Sequence, residues 1–148
     1  MKQILSNDII NQYMPTLVKC PLFNTLGEPE LRSYLNNAKV IIHSYKKNDF
    51  IALAGDPMEG IGVILEGSAL LTRENVMGQR VIMANLEQSD IFGEALLFSK
   101  QPLWPATIKA TKATKIMFIP LETFIKTLPD CHQCQTKILS NLLEDLSE

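Results

Sequence analysis

The sequence is short of the residues on which most chemistry depends. It holds two histidines, His43 and His132, one in the middle of the chain and one near its end. A metal enzyme built inside a β-barrel needs several histidines and a carboxylate converging on one point, and these two are not expected to meet. No Ser/His/Asp pattern, phosphate-binding P-loop or nucleophile elbow is present, so the chain is not expected to be an enzyme. Basic clusters are also missing. Net charge is −2, the isoelectric point is about 5.7, and no run of cations exceeds Lys46-Lys47. Nucleic-acid binding draws most of its non-specific affinity from neutralised phosphates, so this segment is not expected to hold DNA by itself. No apolar run approaches a membrane span, and Met1-Lys2-Gln3 leads into no secretory core. A cytoplasmic location without a membrane partner is the expectation. The three cysteines, Cys20, Cys131 and Cys134, are expected to be free thiols there rather than a disulfide framework.

What is present suits one compact domain: 148 residues, 46% hydrophobic, enough for a sizeable core. The first 38 residues read as helical. Ser6-Asn7-Asp8 offers capping side chains ahead of Ile9, Ile10, Tyr13 and Leu17, and Pro15 should break or kink that run. Cys20-Pro21-Leu22-Phe23 is an apolar hook, and a second helix should start near Glu28-Pro29, with Leu31, Tyr34, Leu35 and Ala38 on one face. From Val40 the period becomes that of strands. Val40–Tyr45, Phe50–Leu53, Ile61–Leu65, Ala69–Thr72, Val81–Met83, Thr107–Thr111 and Lys115–Ile119 alternate with turns rich in Gly, Asn, Asp and Pro. Glu66-Gly67 reads as a bend or bulge within a strand pair. This is the pattern of an antiparallel sandwich or barrel, and spacing alone does not choose among jelly roll, cupin and immunoglobulin-like folds. After Phe124 and Leu128 the chain turns helical again behind Pro129-Asp130, with Leu139, Leu142 and Leu146 spaced as the start of a coiled-coil seam.

One stretch organises the rest: Asp90-Ile91-Phe92-Gly93-Glu94-Ala95-Leu96-Leu97-Phe98, then Ser99-Lys100-Gln101-Pro102-Leu103-Trp104-Pro105-Ala106. It reads as a strand end, a tight turn at Gly93 and a short apolar helical turn, followed by a loop with two prolines. A glycine at such a turn lets backbone N–H groups approach an anion. The stretch resembles the phosphate-binding cassette of cyclic nucleotide-binding domains. There Phe-Gly-Glu is followed about ten residues later by Arg-Ser-Ala or Arg-Thr-Ala, the glutamate holding the ribose and the arginine the cyclic phosphate. Phe92, Gly93, Glu94 and Ala106 are kept, but Trp104 stands where the arginine should be and Pro105 where the Ser or Thr should be.

Lys46-Lys47-Asn48-Asp49-Phe50-Ile51, Gly55-Asp56, Ile64-Leu65-Glu66-Gly67 and Asp90–Glu94 match that family in order and spacing over roughly residues 20 to 128. The resemblance implies a mainly β fold with flanking helices, the double-stranded β-helix or jelly roll. It divides the chain into a helical lead-in (1–38), the roll (39–128) and the start of a dimerisation helix (129–148). Pro21-Leu22-Phe23 followed by a short amphipathic helix also resembles the lead-in of Crp/Fnr-type bacterial regulators. By that resemblance the chain is an effector-sensing module, with Gly93, Glu94, Ala95, Trp104, Pro105 and Ala106 around a small molecule and no cofactor required. It would form a homodimer through the last helix. The seam stops at Ser147-Glu148 without a terminating signal, so a fragment is expected, with DNA reached only through a domain missing from this chain.

An indole offers an apolar face and one donor, and it cannot neutralise phosphate. Loss of the arginine removes a bidentate charge-assisted contact, so the expected effector is not a cyclic nucleotide unless another cation, with Lys109 as the candidate, substitutes. Between Pro102 and Pro105, Trp104 has two places available, folded into the barrel or turned out as a lid; pre-formed ligand sites favour the lid. A rival reading is redox or metal sensing. Cys131-His132-Gln133-Cys134 places two thiols at a helix start, and Cys20 would add a third.

Overall fold

Two spacings in the middle of the chain decide the architecture. In the strand Gly60–Glu66, Ile61, Val63 and Leu65 alternate with Gly62 and Ile64, and the strand is buried on both faces. Its neighbour, the strand Thr114–Pro120, does the same, with Met117 and Ile119 against Ile116 and Phe118. A strand apolar on both faces needs cover on both. One face meets helices, the other a second sheet.

The computed structural model describes residues 2–4, 6–96, 99–125 and 132–147, the side chains of 2–4, 125, 132–135 and 146–147 excepted. In chain order the elements are β1 (Lys2–Ile4), α1 (Asn7–Leu17), α2 (Glu28–Asn37), β2 (Ile41–Tyr45), β3 (Phe50–Ala52), β4 (Gly60–Glu66), β5 (Ala69–Glu74), β6 (Arg80–Leu86) and β7 (Ile91–Phe92). A single 3₁₀ turn (Glu94–Leu96), β8 (Thr107–Ala110), β9 (Thr114–Pro120), α3 (Glu122–Ile125) and α4 (His132–Ser147) follow. A five-stranded sheet in the order β1-β2-β9-β4-β7 faces a four-stranded sheet in the order β3-β8-β5-β6, every described pairing being antiparallel. This is the expected mainly β architecture.

The two apolar faces make two cores. Outside the five-stranded sheet, Ile42, Val63 and Met117 pack against Ile10 and Leu17 of α1, Leu31 and Leu35 of α2, and Ile138 and Leu142 of α4. The Cys20-Pro21-Leu22-Phe23 hook closes this core, with Cys20, Leu22 and Phe23 fully buried. Between the sheets, Ile64, Ile116, Phe118, Ala69 and Ile108 surround Phe92 and Trp104.

Four expectations are corrected. Lys2–Ile4 is a strand on the edge of β2, not helix, since pairing with residues 41–43 supplies hydrogen bonds that local sequence does not reveal. The first helix is capped at Ser6 as expected, its Oγ accepting from the Ile9 N–H at 3.3 Å, but Pro15 does not break it, and it runs on to Leu17. Glu66-Gly67 is not a bend within a pair. There the chain leaves one sheet for the other, with Gly67 at φ +96°, and β4 and β5 share no ladder.

The fourth concerns the leucine seam. Leu142 is 1% exposed and belongs to the chain's own core, Leu139 packs against that core, and Leu143 is the leucine turned outward, 58% exposed. Leu146 lies among the side chains not described. Two polar links hold α4 in this pose. Lys137 Nζ reaches both carboxylate oxygens of Glu30 on α2, at 3.0 and 2.9 Å. Buried Asn141 donates to the Leu22 carbonyl and to Thr25 Oγ1.

Candidate functional site

The cassette stretch begins with a turn that fixes its entry. The Glu87 N–H donates to Asp90 Oδ2 at 2.7 Å, Ser89 adopts φ +75°, and the Ser89 hydroxyl donates to the Thr16 carbonyl of α1. Ile91 and Phe92 then pair with Val63 and Gly62. The tip of the Phe92 ring lies against Gly62, where any side chain would collide with it. Gly93 follows at φ +91°, in the left-handed region that residues with a Cβ avoid. A Cβ there would also come within 2.9 Å of Met58 Cε and 3.2 Å of Trp104 Cζ3.

Glu94 and Ala95 form the 3₁₀ turn that Gly93 opens, with the Leu96 N–H donating back to the Gly93 carbonyl at 3.3 Å. Ala95 is exposed and Glu94 is half-buried. Burial, first of all, holds the Glu94 carboxyl above the ordinary carboxylate range, and Asp145 on α4 pushes the same way against the opposing hydrogen bond from Glu94's own N–H. The last helix thus brings a second carboxylate towards the cassette glutamate.

The far half of the cassette is held by another loop. Trp104 N–H donates to the Asp56 carbonyl at 2.8 Å, the Trp104 carbonyl accepts from Gly55 N–H at 2.8 Å, and Met58 N–H donates to the Pro102 carbonyl at 2.9 Å. This ladder aims the indole inward. Trp104 is 6% exposed, with its ring centroid 5.8 Å from that of Phe92. The lid arrangement expected from the sequence is therefore replaced by the folded-in one, because the ladder fixes which way residue 104 faces. Pro105 is exposed and Ala106 buried. Of the six expected site residues, Gly93 and Trp104 are in direct apposition, Glu94 and Ala95 continue the same turn, and Pro105 and Ala106 follow Trp104 towards β8.

Lys109 does not reach the cassette. It alternates with buried Ile108 and Ala110, so it faces outward, with its ammonium 5.6 Å from the centroid of Phe50. The cation that does arrive is Arg73, whose Nε donates to the Pro105 carbonyl at 3.3 Å. Its signal was in the sequence, because Ala69, Leu71 and Arg73 share one face of β5 by period-two alternation, and Ala69 is buried between the sheets. Cys20 is fully buried and its thiol is pushed up to about 12, chiefly by that burial, the opposite of a reactive or metal-ready thiolate. Cys131 and the side chains of His132 and Cys134 lie outside the described residues. Among the described residues no group of three or more His, Cys, Asp or Glu could hold a metal ion.

Comparison with known proteins agrees with this geometry. The family model described as cyclic nucleotide-binding domain matches residues 42–130. The cAMP-activated global transcriptional regulator CRP of Pasteurella multocida is 29% identical over 123 residues, 81% of this chain, and this match spans 58% of that protein. The sensor domain of the transcriptional regulator DNR from Pseudomonas aeruginosa superposes with a TM-score of 0.75 at 21% identity, covering 95% of this chain and 89% of that one. The regulatory subunit of a cAMP-independent protein kinase A from Trypanosoma brucei, solved as a triple mutant with cAMP, gives a TM-score of 0.73 at 17% identity over 93% of this chain and 47% of that one. The roll, the cassette turn and a family match extending over most of both place this chain in the cyclic nucleotide-binding domain family, as the Phe92-Gly93-Glu94 resemblance implied.

Proposed function

We propose that the chain is the effector-sensing part of a Crp/Fnr-type transcription regulator, and that its effector is a small molecule other than a cyclic nucleotide. The observation carrying this is Trp104. At the position where the cassette arginine of the family would meet a phosphate, an indole is packed into the core beneath Gly93. No guanidinium is presented from that position, and Pro105 has no hydroxyl to offer beside it. The effector would lie against Glu94, Ala95, Pro105 and Ala106. Binding there would act on α4, which packs on the 3₁₀ turn and carries Asp145 towards Glu94. A helix biased by ligand would be the two-state element that moves DNA-reading heads, supplied by a segment beyond this chain, about a dimer axis. The role is binding rather than turnover. The Trypanosoma neighbour supplies a parallel within the same fold: that protein is cAMP-independent, and its cAMP-bound form carries a threonine changed to arginine.

A second reading has its own observation. Arg73 brings a guanidinium to the Pro105 carbonyl, where it could serve as a substitute cation and retain nucleotide binding. Titration calorimetry with cyclic AMP and cyclic GMP separates the two. The first reading expects nothing tighter than about millimolar. A micromolar dissociation constant that disappears in Arg73→Ala would overturn it in favour of the second.

A further inference from the structure

The edge of the roll where β2 turns into β3 is not sealed, and a cavity of about 260 Å³ opens there between the two sheets. It shares Trp104 with the cassette, but Gly93, Glu94, Ala95, Pro105 and Ala106 do not line it. Its floor is Phe118 together with Trp104, whose other contacts are with the Gly93 turn. His43 and Tyr45 on the inner side of β2 form one wall, stacked with centroids 6.1 Å apart, and His43 meets the Phe118 ring edge-on at 5.6 Å. Half-exposed Phe50 on β3 forms the opposite lip.

The mouth is acidic. Asp56 and Glu59, on the loop that pairs with the Trp104 loop, line the cavity, and neither carboxylate enters an ion pair among the described residues. At the lip, the Lys109 ammonium lies over Phe50, 5.6 Å from its ring centroid. The field inside reflects this balance. The Tyr45 hydroxyl is pushed up to about 12, first by burial and then by Glu59 and Asp49, with no cation among the causes.

Aromatic faces attract cations through their quadrupoles, most strongly where water is thinned out, and carboxylates at the rim add to that attraction. An anion would meet Asp56 and Glu59 unpaired, and a neutral ring would leave both without a partner. We propose that this cavity is a second ligand site, for a small organic cation that joins an ammonium to an apolar or aromatic body, with Asp56 and Glu59 holding the charge and Phe50, Tyr45 and Trp104 the body. The cavity lies just below the usual size range for ligand pockets, which restricts the occupant to a compact molecule. This site does not depend on what the cassette binds.

Trp104, the single tryptophan, floors the cavity and reports on it directly. The full chain is titrated with three probes of equal shape and different charge: phenylethylammonium, 2-phenylethanol and phenylacetate. The expected result is a saturable change in Trp104 emission with phenylethylammonium, weakened about tenfold in an Asp56→Asn, Glu59→Gln double variant, and about tenfold weaker again for phenylacetate with the native chain. Both substituted side chains are exposed, so the melting temperature should not move, and Glu94→Gln should leave the titration unchanged. Equal response to all three probes, absence of saturation, or loss in Glu94→Gln but not in the double variant would each overturn the proposal, the last by placing the ligand in the cassette.

Discussion

Asn141 on α4 donates its side-chain amide to the main-chain carbonyl of Leu22, 3.0 Å away, from a position only 5% exposed. A buried carbonyl that loses its partner costs its desolvation in full. Asn141→Leu should therefore destabilise the chain by about 1–3 kcal/mol although it adds apolar surface. Urea unfolding of the two proteins measures the difference. Thr25→Val should reproduce a smaller part of the loss, since Thr25 Oγ1 is the second partner of the same amide.

Glu94 makes stability depend on pH in an uncommon direction for a carboxylate. Its folded pKa lies above the ordinary 4.5 because burial disfavours the charge. A group that binds its proton more tightly when folded contributes most below its unfolded pKa, and that contribution is lost as pH rises through the folded value. Glu94→Gln removes the penalty. The variant should melt above the native chain at pH 7, with the advantage fading as pH falls through the raised folded value and gone below about 4.5. An advantage constant from pH 7 to pH 3.5 would mean that the carboxyl is not perturbed by its site.

Gly93→Ala tests the turn and the tryptophan together. A positive φ of +91° and the approach of Met58 and Trp104 both oppose a Cβ. The strain should cost about 1–3 kcal/mol. Native emission should be blue-shifted and poorly quenched by iodide, since Trp104 is buried, and the variant's should shift to the red as the indole yields.

On α4, Thr136, Ser140 and Leu143 form the exposed stripe, with Leu142 on the opposite side. If the helix pairs with its twin, Leu143 is the leucine that contributes among the described side chains. Sedimentation should show weak association in the native chain, in the micromolar range or above. Leu143→Asp should abolish that association and leave the melting temperature unchanged. Leu142→Asp should unfold the chain instead, since a charge buried at a 1% exposed position costs at least about 3 kcal/mol.

What could be read from the sequence was local. Gly93 announces its turn because φ near +90° is a backbone demand with few alternatives, and α2 announces itself through Pro29 and the spacing of Leu31, Tyr34 and Leu35. What could not be read depended on distant partners. The period of α4 groups Ile138, Leu139 and Leu142 on one face, but nothing in that period says whether the face meets the chain's own hook at Leu22 or another molecule. The position of Trp104 was undetermined for the same reason, since the loop that aims it lies nearly fifty residues earlier. Arg73 was legible by alternation along β5 but invisible to a search along the cassette itself.

The ladder between residues 55–58 and 102–104 also sets a rule of parity. Pro57 stands opposite Leu103, with hydrogen bonds on either side, and in such pairing successive side chains point to opposite faces. Adding or removing one residue in either loop would turn Trp104 to the solvent and bring Leu103 or Pro105 into its place. Insertions of two would keep the indole inside. Loop length here acts as a switch with odd and even settings, and relatives with altered loops should divide by that count into those with a filled roll and those with an open one.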